Sequence, residues 1–380
     1  MTSGELSRAL LLLALTPLLA TAYSKEENQA VLDLIKLPPG FEIEVLHDGF
    51  KNYRQMALTD SGILYVGSRK EGKVHYFPLP GSAAARAGVP SGAISMKFTM
   101  PSGIAIKDGT LYIADIGKLY RVKDAEHPGK STPEVIFDKL PEDLHHGWKY
   151  LKFGPDGRLY IPIGAPCNIC DAGPNYSKII SLDLGTLTTR DEALGVRNSV
   201  GFDFAPTTGE LWFTDNGRDM MGDDMPSDEL NQLSRRGQHF GYPYVHQGDT
   251  LDPEFGTGKR IQDYEAPKAR LGAHVASLGM TFYSQKQFPP KYQGGIFIAE
   301  HGSWNRSEKV GYRVRFAKLK DGEVESLETF AEGWLQGDAV HGRPADVLVA
   351  PDGSLLVSDD GRDRLYRIFY SGHSGTEKGN

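Results

Sequence analysis

Two adjacent histidines, His145 and His146, stand just before an apolar strand in HHGWKYLKFGPDGRLYIPIG. An imidazole titrates near neutrality, so a histidine held at a pocket is suited to take a proton from a hydroxyl group. Arg197-Asn198 pairs a fixed cation with an amide, a combination that stabilises negative charge developing on oxygen. The acid-rich run from Asp215 to Glu229 is oxygen-dense and suits calcium, although its spacing is not that of an EF-hand and a solvated loop would read the same way. His301, Arg343 and Asp359-Asp360 add polar groups further along. Trp304 and Trp334 suit stacking on a flat ligand or packing inside a loop, and the residues alone leave both open. Cys167 and Cys170 lie three apart. A lone CxxC gives too few metal ligands and the βαβ setting of a redox motif is absent, so the expectation is a small structural disulfide.

These residues need elements to bring them together, and the chain supplies a repeat. A glycine followed by an apolar, aromatic strand recurs six times: GILYVGS from Gly62, GTLYIAD from Gly109, GRLYIPIG from Gly157, GELWFTDNG from Gly209, GGIFIAEHG from Gly294 and GSLLVSDDG from Gly353. The copies start between 47 and 85 residues apart, a period that fits one four-stranded sheet per repeat. An alternating strand precedes each copy across a tight turn such as Pro-Asp-Gly, and a third strand follows it. This predicts an all-β chain, a six-bladed β-propeller. FEIEVLH, from Phe41 to His47, has no partner before the first copy, while the last copy lacks a fourth strand. The N-terminal strand is therefore expected to close the ring, which removes exposed sheet edges.

Propeller geometry then selects one face. The first two strands of each blade form a hairpin, so the start of the first and the end of the second share a rim. That rim collects Arg54, Gln55, His145, His146, Arg197, Asn198, His274, Arg343, Ser68, Arg69, Asp115, the Ala165–Cys170 loop, Asn216 to Asp219, Glu300, His301, Asp359 and Asp360. The opposite rim carries mostly turn residues. Polar groups converging on a channel mouth are what a small-molecule site requires. Any single histidine there also suits a loop hydrogen bond, and Arg197-Asn198 also suits loop carbonyls.

Forty-four glycines and 23 prolines fit a turn-rich β chain, and a net charge of -7 without a basic block argues against nucleic acid as a partner. Arg8 before ALLLLALTPLLA, and Ala20-Thr21-Ala22 after it, predict a signal peptide over residues 1–22 and secretion, with no membrane attachment after cleavage. The propeller is expected over residues 23–370, with a disordered tail over 371–380.

The ordered set HHGWKYLKFGPDGRLYIPIGAPCNIC, GVRNSVGFDFAPTTGELWFTDNGRD, DELN with HFGYP, IFIAEHGSWNR and GRPADVLVAPDGSLLVSDD resembles the soluble glucose and sorbosone dehydrogenases that use pyrroloquinoline quinone. The likeness runs from about Leu37 to Tyr370 and is closest to the sorbosone or pyranose dehydrogenase branch. It implies a secreted sugar oxidoreductase holding the quinone and Ca2+ over the channel mouth, with a sugar as substrate and an external electron acceptor as partner. By the same resemblance His146 is the general base, and Arg197 and Asn198 polarise the quinone. Arg343 holds a cofactor carboxylate. Gly217 and Arg218 offer backbone carbonyls to calcium, and Glu229 ligates a second, structural calcium. Arg54, Gln55, His301 and Arg306 complete the candidate cofactor-binding set, the last two in place of a fifth-blade lysine for which this chain has no clear match.

The chain also departs from the glucose enzymes. Ala165 stands where a carboxylate orients the histidine, His145 replaces an aspartate, and Arg218 replaces a proline at the calcium turn. Two other classes fit a propeller with this rim. One is a calcium-dependent lactonase, using Asp115, Asn216 and Glu300 as ligands; the other is a noncatalytic extracellular binding propeller. The long excursion from Gln247 to Arg270 is where metal and substrate selection are expected.

Overall fold

The computed structural model describes residues 23–373. The signal peptide expected over 1–22 and most of the expected tail, 374–380, lie outside the described residues. No helix among the described residues is long and apolar enough to cross a membrane.

Six sheets follow one another around a ring, five of four antiparallel strands and one, that of blade III, with a fifth short strand, Gln238–His239, added in parallel at its edge. Blade I runs from Tyr53–Leu58 outward through Ile63–Ser68 and His75–Pro78 to the short Gly92–Ala93. Blades II to V begin at Gly103–Lys107, Lys152–Phe153, Gly201–Phe204 and Ser277–Phe282. Blade VI begins at Pro344–Val349, and its outermost strand is Phe41–Asp48, paired antiparallel with Arg364–Tyr370 from Phe41 opposite Tyr370 to Asp48 opposite Arg364. The first strand of blade VI touches that of blade I, so the two ends of the repeat meet.

Each junction between blades has its own apolar cluster, because strand side chains alternate between the two faces of a sheet and both faces are covered. Tyr65, Ile104 and Ile113 fill the first junction, Leu119, Leu151 and Ile161 the second, and Tyr150, Phe202 and Phe213 the third. Trp212, Met280 and Ile298 fill the fourth, and Phe297, Phe316 and Val357 the fifth. Met56, Val66 and Leu356 join blade VI to blade I. Near the axis polar side chains take over. Gln55 accepts from Ile104 N at 2.9 Å and Leu151 N at 2.8 Å and donates to Leu151 O at 2.6 Å, so one amide ties blade I to blades II and III. Asp346 accepts from Met56 N at 2.9 Å and from the Tyr150 hydroxyl at 3.2 Å.

The first strand of blade III is shorter than WKYLKFGPD suggested: only Lys152 and Phe153 pair with the next strand. Gln55 explains this, since it occupies both the N–H and the carbonyl of Leu151.

Candidate functional site

The rim selected by the repeat encloses a cavity of about 300 Å3 at the channel mouth. Trp148, Ala276 and Leu278 give it an apolar part, with Val200 and Ala345 in the same cluster as Trp148 and Leu278. Its walls carry four arginines (Arg54, Arg69, Arg197 and Arg343) together with His146, Asn198, His274, His301, Asp219 and Asp228. A larger recess of about 580 Å3 opens between blades VI and I, but it is lined by turn segments such as Asp60–Gly62 and Ala350–Asp352 and gathers no comparable set.

His146 sits at φ 49°, a left-handed backbone conformation that turns its ring inward. Its Nδ1 lies 2.9 Å from the Ala165 carbonyl. A carbonyl only accepts, so Nδ1 carries the hydrogen and Nε2 keeps a free lone pair on a cavity-lining ring. Burial, followed by the Arg197 guanidinium and His145, drives the pKa of His146 far below 6.5 and keeps the ring neutral. The missing carboxylate at Ala165 is thus replaced by the backbone of the same residue. Ala165 is itself fixed by donating its N–H to Arg197 O at 2.8 Å.

Arg197 and Asn198 begin the inner approach to blade IV. Both backbone N–H groups donate to Asp215, at 2.8 and 2.6 Å, a carboxylate at the end of the paired strand. Burial, opposed by these donors, raises Asp215 to about 7. The Arg197 side chain donates to Asn168 O at 2.9 Å, Asn168 Oδ1 at 2.8 Å and Asn216 O at 3.2 Å. Asn168 lies inside the Cys167–Cys170 disulfide, so the small loop is an anchor for the guanidinium. Asn198 Oδ1 is buried without a partner.

On the blade V and VI side, Arg343 donates to His301 O at 3.1 Å and Gly302 O at 2.7 Å. His301 and Arg54 share Asp360, at 2.5 and 2.9 Å. Burial lowers His301 to about 4, and it would raise Asp360, but Arg54 and His301 outweigh it and hold that carboxyl well below the usual range. Trp304 stands 71% exposed at the mouth, whereas Trp334 is fully buried; the first is available to a ligand and the second is core.

Of the residues singled out from the sequence, His146, Arg197, Asn198, Arg54, His301, Arg343 and Gly217 line this cavity. Four do not. Gln55 is spent on the axis. Arg306 turns to Asp223 O at 3.0 Å and Asp224 at 3.1 Å. The Arg218 guanidinium is tied to Asp252 at 2.6 Å and Glu254 at 3.2 Å, so that loop residue contributes no side chain here. Glu229 faces Asp215 across the strand pair and borders a separate small void with Asp215, Gly217 and Tyr242. Burial, then the Asp215 charge, raises Glu229 to about 8. The excursion from Gln247 to Arg270 packs beside Arg218 and His246 through Asp252 and lines none of the cavity.

The lactonase-like set does not assemble. Asp115 accepts from Thr99 N and Met100 N at 2.8 and 2.6 Å, and Glu300 pairs with Arg313 at 2.6 Å. Arg69, already placed on the rim, lines the cavity as well, and so does Asp228 near the end of the acid-rich run, which accepts from Gly217 N at 2.9 Å and Ser277 N at 3.0 Å. Sequence reasoning missed Trp148, which sits inside a strand-like run where nothing local distinguishes it from core.

The orphaned Asn198 Oδ1, with Arg54 Nη1 and Trp148 Nε1 also buried and unpartnered, makes this a donor-rich pocket with one free amide oxygen. A planar, anionic group bearing carboxylates fits that chemistry, and a hard cation beside Asn198 would take its oxygen. No group of three or more His, Cys, Asp or Glu side chains arranged for a metal occurs among the described residues, so such a cation would draw on backbone carbonyls.

Comparison with known proteins places the chain. The profile of the glucose / sorbosone dehydrogenase family matches residues 192–367. A protein of Borreliella burgdorferi, described as uncharacterized, is 33% identical over 369 residues, 90% of this chain and 92% of its own. Among solved structures, a calcium structure of a Trichoderma reesei carbohydrate-active enzyme of family AA12 superposes with a TM-score of 0.76 at 19% identity, over 89% of this chain and 97% of that one. The holo form of the pyranose dehydrogenase PQQ domain from Coprinopsis cinerea gives 0.72 at 17%, over 88% and 97%. The PQQ-bound aldose sugar dehydrogenase of Streptomyces coelicolor gives 0.60 at 19%, over 88% and 99%. At these identities the structures speak for the six-bladed fold.

Proposed function

The chain belongs to the glucose/sorbosone dehydrogenase family, and from that premise we propose that it is a secreted quinoprotein that oxidises a sugar hydroxyl and passes the electrons to an external acceptor. The observation that carries this reading is His146, neutral, with Nδ1 fixed on Ala165 and Nε2 free beside Arg197 and Asn198. When bound, pyrroloquinoline quinone supplies a two-electron hydride acceptor, and Ca2+ supplies Lewis-acid pull. The chain does the rest. Nε2 of His146 takes the hydroxyl proton as the carbon gives up its hydride, so the alcohol becomes a carbonyl. Arg197 and Asn198 offer a cation and an amide where charge builds on oxygen, and both are held by Asp215 before any ligand arrives. Arg343 and Arg54 would hold cofactor carboxylates from the opposite blades, and His301, whose Nε2 is spent on Asp360, would position Arg54 through that shared carboxylate. The Gly217 carbonyl and Asn198 Oδ1 suit calcium. Glu229 with Asp215 suits a second, structural calcium at the small void.

Reconstitution with Ca2+ and the quinone tests this. The loaded protein is expected to reduce a dye acceptor with one or more aldoses or ketoses, and His146→Gln is expected to lose about 10²–10⁴ in kcat at unchanged melting temperature. Absence of both a reducible quinone spectrum and dye reduction across the sugar panel would sink the proposal.

A further inference from the structure

Arg69 follows the end of the second strand of blade I and places its Cζ over the Trp148 ring, 4.1 Å from the centroid. Its Nε is buried without a partner. Asp360, the nearby carboxylate, is already taken by Arg54 and His301. Burial and then the Arg54 charge lower Arg69 to about 10, the mark of a cation that lacks a counterion. Two further donors in the same cavity, Arg54 Nη1 and Trp148 Nε1, are also buried and unpaired. Donors left unpaired in a protein interior are costly, so three together mark the place where a ligand supplies acceptors. A neutral hydroxyl would satisfy the hydrogen bonds but not the charge. A carboxylate does both, and its two oxygens match the guanidinium fork, whose Nε is without a partner.

We propose that Arg69, Arg54 and Trp148 form a carboxylate-binding subsite at the blade I and blade III side of the cavity. It rests on the dehydrogenase reading for the source of the carboxylate: either the quinone, a tricarboxylate, or an acidic sugar such as a uronate bound as substrate. Trp148 also meets the His146 ring edge-on at 5.9 Å, so a carboxylate held here lies next to the base.

Calorimetric titration of the wild type and of Arg69→Gln tests it with three probes: benzene-1,3,5-tricarboxylate, which has no redox chemistry; the quinone with Ca2+; and glucuronate against glucose on the quinone-loaded protein. Loss of the charge is expected to weaken the benzene tricarboxylate by about fivefold or more. A matching loss for the quinone alone assigns the subsite to the cofactor. A lost preference for glucuronate over glucose, with quinone binding intact, assigns it to the substrate. Arg69→Lys keeps the charge without the fork and is expected to show a smaller loss; it replaces Arg69→Gln if that variant does not fold. Equal affinities in wild type and variant for all three probes, or no binding of any of them by the wild type, would overturn the subsite. A wild type that binds the benzene tricarboxylate through Arg69 but not the quinone would instead sink the dehydrogenase reading and leave the subsite standing.

Discussion

At the scale of the residue, local strand geometry decides which candidates reach the site. Arg54 and Gln55 are neighbours near the start of one strand, yet Arg54 lines the cavity and Gln55 points into the axis, at a bulge where the pairing of the first two strands slips register between Tyr53 and Met56. The sequence places both on the rim but does not say which one faces the ligand. His146 was legible because it stands just ahead of the blade III strand run in the sequence; the carbonyl that orients it was not, because any residue has one. This arrangement has a kinetic consequence. A general base with the ordinary imidazole pKa of 6.5 loses activity tenfold per pH unit below that value. With its pKa driven far below 6.5 by burial and Arg197, His146 stays neutral across the working range. The plot of kcat/KM against pH for the quinone-loaded protein is therefore expected to show no limb from this base between about pH 8 and 5. A limb near 6.5 that disappears in His146→Gln would contradict the assignment.

At the scale of the element, acids at strand ends behave alike. Asp115, Asp215 and Asp359 each close the second strand of a blade and accept backbone N–H groups from the loop entering the first strand. Such acids read in the sequence as metal ligands, yet their partners are amides that carry no sequence signature. The Cys167–Cys170 loop is the reverse case. It reads as a stiffener, and the structure adds that Asn168 inside it accepts two hydrogen bonds from Arg197 and one from Asp219 N at 2.8 Å. A loop closed over so few residues adds little to global stability through chain entropy. Replacing both cysteines by serine is therefore expected to move the urea midpoint only slightly while lowering kcat by about tenfold or more, since Arg197 loses its fixed geometry. Asn168→Ala is expected to do the same with the disulfide intact. A double-serine variant with wild-type kcat would remove the loop from the machinery.

At the scale of the molecule, the ring was legible because six strand repeats carry glycine turns at a regular spacing, and the apolar junctions follow from alternation. The polar axis was not legible at Asp346, a single acid within an apolar run, whereas the rim rule did name Glu300 and Asp359 at strand ends. That axis shapes how the whole fold responds to pH. Burial raises Asp346 to about 7, and it raises Asp359 and Glu300 to about 6. For a carboxyl raised on folding, the stabilising contribution is complete below its unfolded pKa of 3.8 for Asp or 4.5 for Glu and is lost as pH rises through the folded value. Burial lowers His47 and His301 to about 4, and their contribution is complete above 6.5 and lost as pH falls towards 4. Between 4 and 6.5 the two trends oppose each other, whereas above 6.5 only the carboxyls act. Stability without added ligands is therefore expected to decline from pH 6.5 towards pH 8. Urea midpoints measured from pH 4 to 8 check this, and Asp346→Asn, which can still accept from Met56 N, is expected to flatten the alkaline decline. Midpoints that rise from pH 6.5 to 8 in the wild type would mean that these carboxyls are ionised in the folded ring at no cost.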